Sequence, residues 1–288
     1  MEWFVFALGT AVFASLATVI EKKTLIKEHP MEFSAVLALF NLLISLPLLF
    51  FVNFNIPSSI LGILYIGSLF GTVAFLYVAR ALRHMEISLA SPLLSFSPAI
   101  VLVLSFFILG ERISFLQLIG ILVLIFSAYI LETPKHLNLK EPIRIFIKSK
   151  YIHFIFIALI LYAFSSIIDK FVISYMTPLS YILIVHFFIS VNFFALMFLF
   201  HNGLEGIKHG IKNAGKMIFV VSLFTFTYRL LQIQAISMTF VSLVIPIKRL
   251  STLFSTIIGG EMFHEKRLLL RSIISIVMLF GTYLIITG

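Results

Sequence analysis

The chain has 288 residues, 61% of them hydrophobic and only 11% charged, with 33 Phe and a formal net charge of +9. A soluble domain carries about 25% charged residues, so this chain has too few polar groups to coat a water-facing surface. The composition is that of a polytopic membrane protein. Its positive charge does not point to nucleic acid: most basic residues occupy short connections between apolar runs, as lipid-headgroup contacts and a topology signal. Cysteine is absent, which excludes disulfides and thiol chemistry.

A spanning helix needs about 20 mostly apolar residues. On that rule spans are expected at 3–20, 33–52, 58–79, 87–109, 113–131, 152–173, 179–200, 215–235, 240–262 and 268–287. The first is read as a span and not a signal peptide, because Met1-Glu2 is not basic and no cleavage site precedes Glu21. Breaks fall at Glu21–Pro30, Asn53–Pro57, Arg80–Glu86, Gly110–Arg112, Thr177-Pro178, His201–Lys216 and His264–Arg267. The longest polar connector carries Lys135, Lys140, Arg144, Lys148 and Lys150. It divides the chain into a first half at 1–132, a basic connector at 133–150 and a second half at 151–288.

The halves read as a repeat. A shift of 154 residues pairs Ser88 with Ser242, Pro92 with Pro246, Ser97 with Ser251, Glu111 with Glu265 and Tyr129 with Tyr283, without gaps. A shift of 148 pairs Glu21-Lys22 with Asp169-Lys170 and Pro30 with Pro178. Five spans per copy put the second copy into the membrane from the opposite side. The fold class expected is therefore all-α integral membrane, ten transmembrane helices as two inverted five-helix repeats. Such repeats are a common scaffold of secondary transporters, with the site at their interface near the midplane. The bias of Lys and Arg collects on one face, which under the positive-inside rule leaves both termini outside.

Several spans carry polar residues at helical spacing, hence on one face. Examples are Ser222, Thr225, Arg229 and Gln232 in the eighth, and Lys248, Ser251, Thr252, Ser255 and Gly259 in the ninth. Asn41, His186, Asn192 and the pair Gly67 and Gly71 lie in other spans. Small and hydroxylic residues also serve helix packing, which is the simpler account of the Ser, Thr and Gly faces. The cations differ, because Lys or Arg near the bilayer centre costs roughly 2.5–3.5 kcal/mol. Lys248 alone could snorkel, but Arg229 and Arg249 lie at similar depth on adjacent helices, with His186 in the same half of the membrane. Asp169, Glu21 and Glu261 all sit near helix ends, so an anionic substrate is the natural neutraliser, with Arg offering bidentate contact. Lys248, Arg249 and Arg229 are therefore expected to bind cargo, with Gln232, Tyr228 and His186 orienting it. Pro92, Pro98 and Pro246 break or kink their spans, and Glu111 and Glu265 are expected to serve helix starts.

The blocks ASPLLSFSPAIVLVLSFFILGERISFLQLIGILVLIFSAYIL (Ala90–Leu131) and VSLVIPIKRLSTLFSTIIGGEMFHEKR (Val241–Arg267) resemble the closing part of an EamA-type repeat of the drug/metabolite transporter superfamily. The marks are a proline-containing fourth helix, then Gly-Glu, then a fifth helix with a glycine such as Gly120. The second copy departs from them, with His264 in place of Gly110 and Ile274 in place of Gly120. The resemblance implies ten helices around a central cavity, export or exchange of small metabolites, and both termini in the cytoplasm, opposite to the charge count. Lys248-Arg249 is also similar to the basic pair with which plastid sugar-phosphate translocators hold phosphate.

The resulting expectation is a secondary transporter, not an enzyme, in the cell (plasma) membrane. It would move an anionic or zwitterionic metabolite by alternating access, without cofactor, metal or nucleic acid. Its partners would be the metabolite, the lipid bilayer, and a coupling proton or counter-substrate. One rival is an exporter of uncharged or cationic compounds with structural buried cations. Another is a membrane-embedded transferase, for which the sequence offers no HExxH and no histidine cluster.

Overall fold

The structure, a computed structural model, describes residues 2–25, 28–84, 93–132, 150–254 and 268–288, and these contain helices and no strand. The connector 133–149 and Ser88, Pro92, Ser255, Gly259, Glu261, His264 and Glu265 lie outside the described residues. In chain order, α1 is Trp3–Leu25 and α2 is Pro30–Ser45, prolonged by a 3-10 turn at Leu46–Phe50. Then come α3 (Ser58–His84), α4 (Ser97–Leu104, closing in a π-turn at Ser105–Leu109), α5 (Phe115–Glu132) and α6 (Lys150–Val172). They are followed by α7 (Pro178–Phe200), α8 (Gly203–Met238), α9 (Val241–Lys248) and α10 (Leu268–Thr287).

Among the described residues six helices are long and apolar enough to cross a membrane: Trp3–Leu25, Pro30–Phe50, Ser58–Val78, Ile152–Val172, Pro178–Phe200 and Gly203–Met238. Shorter apolar helices cover Ser97–Leu109, Phe115–Ile130 and Ile273–Thr287. Local chemistry sets several boundaries. Pro30 and Pro178 open their helices where a missing N–H costs nothing. Gly110, at φ 68°, ends the fourth expected span in the left-handed region that glycine tolerates.

Two boundaries differ from the sequence expectation. Helix α8 begins at Gly203 and not at 215, so most of the stretch expected as a break is helical. Its Glu205, Lys208 and Lys212 face outward while Gly203, Gly206, Ile207 and Gly210 are buried. That three-and-four spacing is an amphipathic helix whose charges hide it from a hydropathy rule. The ninth span is also interrupted. Pro246 lies inside α9, which stops at Lys248, and the Arg249 N–H bonds only three residues back, to the Pro246 carbonyl, at 2.9 Å. Helix resumes at residue 250. The basic pair therefore sits at a break.

Large apolar side chains point outward, as at Phe50, Phe107, Phe115 and Phe200. The interior combines Ile, Leu and Val with small and hydroxylic side chains such as Thr10, Ser45, Ser68, Thr72 and Ser222, the latter suited to close helix packing in a bilayer. Helix α1 lies along α8, α3 along α6, α5 along α10, and α2 against both α7 and α8. Gly67 serves packing: a Cβ there would come 2.7 Å from Ile168 Cγ2, and its carbonyl accepts from Ser165 Oγ at 3.1 Å. Asn192 is likewise occupied, donating to Ser68 Oγ at 3.1 Å.

The α8–α9 junction is held from both sides. Lys170 Nζ donates to the carbonyls of Ile236 and Thr239, each at 2.8 Å, where α8 ends. Glu111 accepts from the N–H groups of Val241 (2.9 Å) and Ser242 (3.1 Å) and from Ser242 Oγ (2.6 Å), where α9 begins. A cation on a helix C-terminus and an anion on an N-terminus both suit the helix dipole. Glu111 thus serves a helix start as expected, but in the other half of the chain.

Candidate functional site

A cavity of about 90 Å³ opens among α2, α3, α6, α7 and α8. Its wall is apolar in part, with Phe75, Ile189 and Phe193, and polar at Asn41, Thr72, Tyr162, His186, Thr225, Tyr228 and Arg229. Helix α8 supplies Thr225, Tyr228 and Arg229 from one face, spaced three and four apart. Counting back from Thr239, Arg229 lies about 15 Å from the end of α8, well inside the bundle.

Two lining side chains lack hydrogen bonds. His186 is 2% exposed and neither ring nitrogen has a partner among the described residues; buried Asn41 Oδ1 has none either. A buried unpaired polar group costs roughly 1–3 kcal/mol, so native structures seldom leave one without a use. Three such atoms face one cavity. The Phe226 ring packs at 5.9 Å from the imidazole and helps to hold its orientation.

The other residues expected to bind cargo divide. Lys248 and Gln232 pair with each other: Lys248 Nζ donates to Gln232 Oε1 at 2.8 Å and lies 4.8 Å from the centre of the Tyr228 ring. Neither residue lines the cavity, nor does Arg249. Tyr228 joins the groups, with its ring under Lys248 and its side chain in the cavity wall beside Arg229. The three cations do form a cluster, with Arg229 and Arg249 both within electrostatic reach of Lys248.

The sequence left these cations without acids, and the fold corrects that. Asp169, buried and accepting from the Tyr181 hydroxyl at 2.6 Å, lies within electrostatic reach of both Arg229 and Lys248. Glu21 is within reach of Tyr228 and Tyr162, and Tyr162 is within reach of Arg229 and Arg249. Both acids are near the ends of their helices, as expected, yet Asp169 reaches the cations directly and Glu21 reaches the tyrosines beside them.

A second correction concerns histidine. No cluster is visible in the sequence, but the fold assembles one around Glu32 at the start of α2. His201 Nε2 lies 3.1 Å from Glu32 Oε1, and His209 Nδ1 lies 2.7 Å from Glu32 Oε2.

Residues 1–133 match the model of the EamA-like transporter family, which bears out the resemblance drawn from the first block, Ala90–Leu131; the second block lies outside the matched residues. No curated protein matches the chain. A solved structure described only as "Crystal structure of protein" superposes over 100% of this chain and 99% of its own, with a TM-score of 0.73 and 13% identity. At that identity the likeness shows a shared fold.

Proposed function

We infer that this chain, with its apolar helices and its match to the EamA-like transporter family over residues 1–133, works as a secondary transporter. Its cargo is a small anionic or zwitterionic metabolite, moved by alternating access. One observation carries the reading: a guanidinium shares a cavity inside an apolar bundle with two buried side chains that have polar atoms to spare. Arg229 offers a bidentate contact to carboxylate or phosphate. His186 and Asn41 take the hydrogen-bonding part of the cargo, and the guanidinium in the cavity wall favours an anion over a cation.

Lys248 has a different part. Its contacts to Gln232 and Tyr228 already satisfy it, which favours a role in positioning Tyr228. The same contacts support the rival in which Lys248 is purely structural and the cargo is uncharged.

Two inverted five-helix repeats, at 1–132 and 151–288, remain our reading of the architecture. Its support is the packing. The pairing of α1 with α8 is answered by α6 with α3, and α1 with α9 by α6 with α4. The pairs α2 with α7, α4 with α9 and α5 with α10 are their own counterparts. Exchanging the halves maps each of these contacts onto another or onto itself. The site then lies between the repeats, as alternating access requires. Residence in the plasma membrane and coupling to a proton or counter-substrate belong to the same proposal.

The test is a thermal-shift screen of purified protein against phosphorylated, carboxylated, uncharged and cationic metabolites, repeated on Arg229→Ala and Lys248→Met. Anions should stabilise the wild type and Lys248→Met but not Arg229→Ala. Stabilisation by uncharged compounds alone, undiminished in Arg229→Ala, would favour the rival.

A further inference from the structure

The Glu32 cluster lies apart from the cation cluster. On α8, His209 precedes Arg229 by 20 residues, about 30 Å of helix. Glu28 and His29 precede α2, Glu32 is in its first turn, His201 caps the end of α7, and His209 lies in the second turn of α8. The Glu32 side chain is only 9% exposed. One donor atom each from Glu28, Glu32 and His209 lie within 4.8 Å of one another, and His201 adds a fourth beside Glu32.

This closeness is built in. Helix α2 crosses α8 over Gly206 and Gly210, where a Cβ would come 3.6 Å from Glu32 Cγ and 3.4 Å from Glu32 Cβ respectively. The His209 ring is held from behind by the Asn213 amide, whose nitrogen lies 2.9 Å from Nε2; turning that amide over puts its oxygen there to accept the Nε2–H that a metal-ligating imidazole donates. His29 stacks on His201, with ring centroids 4.5 Å apart and planes 16° from parallel. A buried carboxylate, a second carboxylate and two imidazoles around one point make a donor set of two O and two N. Imidazole with carboxylate suits zinc and its neighbours, while magnesium and calcium favour oxygen alone. Ligands of a tetrahedral zinc ion stand about 3.3 Å apart, so small side-chain rotations would close these four around an ion.

We propose that Glu28, Glu32, His201 and His209 form a binding site for a divalent transition-metal ion. Its place in the fold gives it a use. Helices α2, α7 and α8 all line the cavity, and Ser34 of the lining is two residues from Glu32. An ion held here ties the ends of those three helices together and latches this end of the cavity shut. The latch rests on the transport reading above; the ion site does not.

Cobalt(II), which gives a visible band in tetrahedral sites, is the probe. It is titrated into the untagged full chain in detergent and competed with zinc. Wild type should develop the band, lose it to zinc, and be indifferent to magnesium. His209→Ala and Glu28→Gln, at exposed and half-buried positions, should abolish the band while keeping the wild-type melting temperature, and Asn213→Ala should weaken binding about tenfold. No band in wild type, or an equal band in both ligand variants as from an adventitious ion only, overturns the site. In proteoliposomes zinc should slow uptake by wild type but not by His209→Ala. Binding without slowing, where anions still stabilise the protein, overturns the latch and leaves both the site and the transport reading standing.

Discussion

Helix α8 carries two polar clusters of opposite design. At its start, the acid Glu32 is surrounded by imidazoles; about 30 Å on, the cations Arg229 and Lys248 lie among tyrosines with the acid Asp169 in reach. In the first cluster every Glu32 oxygen has a partner in the protein. In the second, His186 and Asn41 retain unpaired atoms that face an open volume. The difference teaches how to read buried polarity. A cluster whose groups satisfy one another holds structure together or accepts an ion; one that leaves donors and acceptors over is shaped for something that comes and goes.

The sharpest way to break this contrast is at Arg229. Two charge-assisted hydrogen bonds are worth roughly 3 kcal/mol together, so Arg229→Ala should slow uptake of a stabilising anion about a hundredfold. In metal-free buffer His209→Ala should change the same uptake little. Proteoliposome assays of both variants decide it, and comparable losses in the two would erase the distinction. A smaller effect is expected at the junction between α8 and α9. Glu111→Ala removes three hydrogen bonds to the start of α9, a loss of about 2 kcal/mol by analogy with N-caps, which lowers the melting temperature by roughly 4–8 °C. Smallest is Lys170→Met. Its ammonium contributes about 1 kcal/mol at the end of α8, a shift of roughly 2–4 °C, and uptake should keep its substrate preference.

The sequence made the helical frame legible because the spans are apolar and their interruptions are Pro, Gly or charged. Counting residues also put Arg229 and Arg249 at similar depth, with His186 in the same half of the membrane. What it did not reveal depends on contacts between distant positions. Glu111 reaches a helix start 130 residues away, and Lys170 reaches carbonyls 66 and 69 residues away. The cluster partners of Glu32 are 169 and 177 residues from it. Each looks like an ordinary helix-end charge until the bundle closes. The opening turns of α8 were missed for another reason, since their outward charges resemble a loop when only average hydropathy is read. His186 was found by depth alone, while Asn41, noted only as polar, gained its significance from the cavity.

Five hydrogen bonds converge on the few residues between α8 and α9, two from Lys170 and three from Glu111. Any rearrangement that preserves them cannot slide one helix past the other; it has to turn them about that point. Arg229 sits about 15 Å out on one arm and Lys248 about 12 Å out on the other. A rotation of 10° between arms of that length changes the separation of their charges by roughly 2 Å, enough to make or break the contact through Tyr228. A joint that is stiff in translation thus sets the spacing of the cations by angle alone.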